Sequence, residues 1–285
     1  MSSTGFANAR PRTSGKRIFG RTLLYVVLIV GALIMVFPFL WTIVTSITPG
    51  ATLTTTPKLI PDNPSLSPYF ELFSRVPFGR VIVNSLIIAV ISTMLQLVTS
   101  AMAAYAFARM PFRGRGAIFV LYLATMMIPF QVLIVPLFAE MKALGLINTY
   151  FGAILPTIAS AFGVFLLRQA MSTVPYELDQ AATLDGAGHF RIFTQIMLPL
   201  IRPALATLTV FAFLNTWNSF LWPLIILRDP MMQTLPVALS SLQGQYSTQW
   251  DVLMAGSVIS IIPMFALYVF AQKYIVQGVA GTGLK

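Results

Sequence analysis

Two stretches of this sequence carry polar residues at spacings that could do chemical work. In the first, Asn215, Thr216, Trp217, Asn218, Ser219 and Trp222 lead up to Pro223, and a helix would place positions 215, 218, 219 and 222 on one face. Two amides and an indole on one stripe supply hydrogen-bond donors, acceptors and a stacking plate, the mixture that a polyol or sugar ring requires. The same stripe would serve equally well as polar glue between apolar helices. Gln131 is a further amide, set between Pro129 and Pro136. Prolines in an apolar helix free backbone carbonyls, which must be re-satisfied or line a cavity. The second stretch is Val174–Pro203, VPYELDQAATLDGAGHFRIFTQIMLPLIRP, where charges, small residues and glycines crowd between apolar blocks. Its chemistry is recognition: such a surface suits docking onto a partner protein.

Bond-making chemistry lacks its parts. There is no G-x-x-x-x-G-K-[ST] run to cradle phosphates and no G-x-S-x-G elbow. His189 is the single histidine, so a His-x-x-x-His metal pair is impossible, and a surface hydrogen bond suits it better than catalysis. Zero cysteines exclude disulfides, thiolate metal sites and a cysteine nucleophile. The eight acids, Asp62, Glu71, Glu140, Glu177, Asp179, Asp185, Asp229 and Asp251, all fall outside the apolar runs or at their ends. A proton-driven carrier usually needs an ionisable relay inside the membrane, so any energy source lies elsewhere.

The elements that must position these residues are apolar helices. The 285 residues are 57% hydrophobic and 9% charged, with a mean hydropathy of +0.82. Charge-free runs predict six membrane spans, at about 22–47, 81–108, 116–139, 151–170, 203–227 and 252–273, since a span needs about 20 apolar residues. Residues 1–20 form a basic, unperiodic tail, and 21–285 the membrane domain. The apolar run after the tail is too long for a signal peptide, which makes it an uncleaved first span. With the N-terminus inside, 13 Lys and Arg fall on inner segments and 5 on outer ones. That orientation places both termini and the 174–202 loop in the cytoplasm. The net charge of +10 flanks spans rather than forming a face, which points to anionic lipid headgroups and not to nucleic acid.

Within the loop, Ser172 and Thr173 offer capping oxygens, and Glu177 and Asp179 suit the positive end of a helix over Tyr176–Leu184. Asp185-Gly186 should end it in a left-handed turn. A second helix, roughly Gly188–Met197, follows and is closed by Pro199. In the second span, Ser85, Ser92, Gln96 and Thr99 lie near one face, and Ser100, Ala104 and Ala108 offer a small-residue packing seam.

On these residues the chain resembles the permease subunits of ABC importers. Their EAA loop reads E-A-A, three residues, G, nine residues, I-x-L-P; Gln180-Ala181-Ala182, Gly186 and Ile196-Met197-Leu198-Pro199 stand at the matching positions, with Gln180 in place of Glu. Asp185-Gly186-Ala187 and the run Trp217–Leu224 are similar to the maltose-type, carbohydrate-importing branch. The resemblance implies an all-α polytopic protein with six spans and a cytoplasmic coupling helix–turn–helix, in a bacterial cytoplasmic membrane. It implies a non-catalytic subunit that works with two ATP-binding subunits, a second and different permease chain, an extracytoplasmic solute-binding protein and a sugar-like solute. ATP and Mg would then sit on the partner ATPase and no cofactor on this chain. It assigns ATPase coupling to Glu177, Gln180, Ala181, Ala182, Asp185, Gly186 and Ala187. Solute contact falls to Gln131, Asn215, Asn218 and Trp222. The rival readings are an ion-gradient-driven secondary transporter of a small polar solute and, from another class, a membrane-embedded enzyme.

Overall fold

The described residues of the computed structural model are 15–52, 60, 61, 63–243 and 248–280, with side chains placed from 19 to 273. Among them the chain is helical, and its one β contact is an isolated bridge between Gln243 and Thr248. In order the α-helices are α1 Gly15–Ser46, α2 Ser67–Arg75, α3 Phe78–Arg109, α4 Arg115–Ala124, α5 Phe130–Ala143, α6 Tyr150–Ile154 and α7 Ala161–Ser172. There follow α8 Glu177–Leu184, α9 His189–Ile192, α10 Leu198–Leu200, α11 Arg202–Trp217, α12 Leu221–Ile226, α13 Leu235–Ser241 and α14 Trp250–Ala280. The expected tail over 1–20 therefore already turns helical at Gly15, and its first part lies outside the described residues, as do Asp62, Gln245, Tyr246 and the last five residues.

Three of these helices, Phe19–Ser46, Phe78–Arg109 and Trp250–Lys273, are long and apolar enough to cross a membrane unbroken. The other predicted spans are broken. Arg115–Met127 meets Phe130–Ala143 at 98°, because Ile128, held extended ahead of Pro129, cannot continue the helix. Tyr150–Thr157 meets Ala161–Ser172 at 48°; after Pro156 the chain restarts at Ser160, whose Oγ accepts from Gly163 N. The span expected over 203–227 is α11 followed by α12, and α11 leaves the preceding loop helix at 80° across Ile201.

Packing centres on α3. Its face at Val81, Ser85, Ile88, Ser92, Gln96, Ser100 and Ala104 is buried, against α7 on one side and α11 on the other. The small-residue seam brings backbones close: a Cβ added to Gly163 of α7 would lie 2.5 Å from Ser100 Oγ. Ser85 Oγ accepts from Leu235 N at 2.6 Å and Thr99 Oγ1 donates to the Ile158 carbonyl, so this polar face ties helices together. The buried apolar side chains form one cluster at the loop end, around Tyr105, Leu167, Met171 and Met197. Two more lie at the other end, around Phe78, Trp217 and Leu235 and around Ile154, Trp222 and Ile226.

Candidate functional site: the docking loop and the polar positions

The 174–203 segment folds as the helix–turn–helix that the sequence predicts, packed on the end of the bundle through Ala182, Ile192 and Met197, with one difference in its capping. Ser172 Oγ and Thr173 Oγ1 bond backwards, to the Arg168 and Ala170 carbonyls of α7. They finish the helix behind them, because Val174 and Pro175 carry the chain away before α8 begins. The end of α8 follows expectation. Gly186 has φ +80°, Gly186 N donates to Thr183 O and Ala187 N to Ala182 O. This paired closure satisfies carbonyls that the last turn leaves open and needs a residue without a Cβ. The second helix does not stop before Pro199. It runs through a widened π-turn at Phe193–Met197 and on to Leu200. Proline cannot sit in a regular interior turn because its ring meets the carbonyl four residues back, and the wider turn accommodates it.

Of the residues assigned to coupling, Glu177, Gln180, Ala181, Asp185 and Gly186 lie on the surface and Ala187 is half-buried. Ala182 is turned inward into the core. Two large apolar side chains flank the turn in the open: Leu184 is 89% exposed and Phe190 79%. They were legible as apolar residues bracketing a polar D-G-A-G turn.

Beneath α8 lies a group that no local pattern indicated. Arg109, the last residue of α3, is buried; its Nη2 donates to the carbonyls of Met171 at 2.8 Å and Val174 at 2.6 Å. Its Nε lies 3.3 Å from Oδ2 of Asp179, which is 7% exposed in the first turn of α8. The contact is an ion pair without hydrogen-bond alignment: neither Asp179 oxygen has a hydrogen-bond partner. Burial pushes the Asp179 carboxyl above its ordinary range, against the opposing pull of Arg109 and His189. Tyr105 Oη and His189 Nδ1 are 3.2 Å apart, so the lone histidine makes the polar contact expected of it, and the Tyr176 ring lies 5.7 Å from the guanidinium. Together these residues wall an open cavity of about 490 Å³ between α3 and the loop.

The polar stripe of the fifth span does not form. α11 ends at Trp217, and Asn218 Nδ2 folds back to the Leu214 carbonyl. The helix restarts at Leu221, since Pro223 can neither donate to residue 219 nor tolerate its carbonyl. Asn215 and Gln131 are exposed, and among the described residues no hydrogen bond joins Gln131 to either asparagine. Trp222 is buried: its indole N–H donates to the Gly152 carbonyl at 3.1 Å and its ring meets Phe130 edge-on. It is a strut between α5, α6 and α12, not a free stacking plate. No cluster of acids or histidine that could hold a metal ion occurs among the described residues.

Residues 96–281 match the family described as binding-protein-dependent transport system inner membrane component. The arabinooligosaccharides transport system permease protein AraQ of Halalkalibacterium halodurans is 40% identical, over 89% of this chain and 92% of its own. The lactose transport system permease protein LacG of Rhizobium radiobacter is 34% identical, over 90% and 94%. Among solved structures, a chain of a bacterial ABC transporter involved in importing the acidic polysaccharide alginate superposes with a TM-score of 0.81. It is 26% identical, and the match covers 94% of this chain and all of the other.

Proposed function

Since the chain belongs to the inner-membrane components of binding-protein-dependent transport systems, we propose that it is the permease subunit through which a sugar or related polyol enters the cytoplasm, with ATP hydrolysed on partner chains. The observation that carries this reading is the docking loop: a helix–turn–helix closed at Gly186, with Leu184 and Phe190 bare to solvent. Exposed apolar side chains on an otherwise polar surface suit a protein cleft. The carbohydrate class rests on the relatives, which are named for arabinooligosaccharides and lactose, and on amides left open at Gln131 and Asn215.

In this mechanism two ATP-binding subunits, which hold the ATP and Mg, close on each other and draw the loop with them. Glu177, Gln180, Ala181, Asp185 and Gly186 face them directly; Ala182 and Ala187 support the helix from within. A second, different permease completes the pathway, and an extracytoplasmic binding protein delivers the solute. Both termini lie in the cytoplasm. The spans then exchange inward- and outward-open states, each favoured by contacts the other lacks. Gln131, Asn215 and Asn218 contact solute, and Trp222 holds the frame around them.

The test is uptake of labelled oligosaccharide by proteoliposomes containing the permease pair, the ATPase and the binding protein. Gly186→Val should insert normally and lose uptake, because a β-branched residue at φ +80° cannot hold the turn. Normal uptake by that variant at equal expression removes the loop from the mechanism. Uptake driven by an ion gradient with ATP absent would replace the importer with a secondary transporter.

A further inference from the structure

Resting on the importer reading, we infer that Arg109 is the joint through which movement of the docking helix reaches the membrane spans. Its pairing with Asp179 then sets how much solute moves per ATP.

The joint connects three elements through one side chain. Arg109 ends α3, its Nη2 is bonded to the Met171 carbonyl in α7 and to the Val174 carbonyl just beyond it, and its Nε faces Asp179 at the start of α8. The fields agree: a helix C-terminus favours a cation, and a helix N-terminus favours the carboxylate. The two attachments differ in kind. The carbonyl bonds are short and directional, so Arg109 is fixed to the end of α7 and to Val174, the first residue of the linker to α8. The contact with Asp179 is Coulombic and makes no aligned hydrogen bond, so the separation can change without a directional bond breaking. Arg109 is held where α7 passes into the linker and can slide against α8.

Within α8 itself little else is buried. Asp179 and Ala182 are its only buried residues, and Ala182 offers one methyl group. A pull on α8 is therefore resisted mainly at Asp179 and delivered to Arg109. From there it enters α3, 32 residues without a proline and about 48 Å long at the usual helical rise. The outer end of α3 is bonded through Asn84 and Ser85 to the 231–235 loop. One unbroken helix thus runs from the docking loop to the opposite end of the bundle.

The experiment uses the complete importer in proteoliposomes and reads two quantities: ATPase retained on purification, and solute taken up per ATP hydrolysed. Asp179→Asn and Arg109→Gln should retain the ATPase while uptake per ATP falls about tenfold, within the usual range of coupling between sites. Asp179→Glu, which restores the charge, should recover a higher ratio than Asp179→Asn. Should Arg109→Gln not fold, the Asp179 pair carries the test, since Asn keeps the size of the side chain. An unchanged ratio in Asp179→Asn overturns the inference, and so does equal recovery with Asn and Glu. Loss of the ATPase from the folded variant overturns it too, by making the pair merely structural. Failure of the importer reading registers separately, as absence of ATP-driven uptake by the unaltered protein.

Discussion

At the end away from the loop, α3 is held by Asn84, whose amide is bonded on both sides: Nδ2 donates to the Met231 and Gln233 carbonyls at 2.9 and 3.0 Å, and Oδ1 accepts from Tyr150 at 2.7 Å. At the loop end it is held by Arg109, whose partner Asp179 is buried, acidic and short of hydrogen bonds. A neutral network of three aligned hydrogen bonds has one low-energy arrangement. An ion pair lacking aligned bonds has a shallower dependence on distance and carries a standing desolvation cost. The end at Asn84 is tied by directional bonds, and the end at Arg109 meets α8 through charge alone.

Several substitutions would break or sharpen that contrast. Arg109→Ala should have the largest effect, about 3–5 kcal/mol lost, because it strands a buried carboxylate; thermal unfolding of the purified permease complex measures it. Asn84→Ala should cost less, about 1–3 kcal/mol, for leaving neutral groups unpaired. The same unfolding assay ranks the two, and an inverted order would remove the distinction between the ends.

The smallest effect is in pH. Asp179 has its folded pKa raised above the ordinary 3.8, so the folded protein holds that proton longer than the unfolded one. Its contribution is full below the ordinary value and is lost as pH rises through the raised one. The stability of the parent relative to Asp179→Asn should therefore decline as pH rises over that window and level off above it. A relative stability that increases with pH would mean that Arg109 outweighs burial. Asn84 has no titrating group, so Asn84→Ala should show no such window.

Apolar runs free of charge were readable because an ion in hydrocarbon is costly, and the turn at Asp185-Gly186 because a left-handed residue favours glycine. The breaks were harder to see. Periodicity continues across Ile128-Pro129 and across Asn218–Phe220, and a proline in a periodic run does not announce whether it kinks a helix or ends it. The stripe of Asn215, Asn218 and Trp222 was assembled on a helix that stops at Trp217. Arg109 and Asp179 were hidden for a different reason. Each already satisfied a local rule, one as a basic flank of a span and the other as an acid at a helix start. The inward spacing of Asp179 and Ala182, three apart on one helix face, was the signal available. Leu184 and Phe190 were plain in the sequence but gained meaning only once their neighbours turned inward.

The right-angle break after Arg115–Met127 has a consequence for the bilayer itself. Ten α-helical and three 3-10 residues rise about 20 Å, against a hydrocarbon thickness of about 30 Å. With Arg115 at the headgroups, this element gives out a third of the way short. A mismatch that large is not absorbed by tilt, which only shortens the reach. The unravelled backbone at Ile128 and Pro129 also cannot face acyl chains. Protein or water, rather than lipid, is therefore the fitting neighbour for the open backbone at Ile128 and Pro129, with the exposed amide of Gln131 two residues further on.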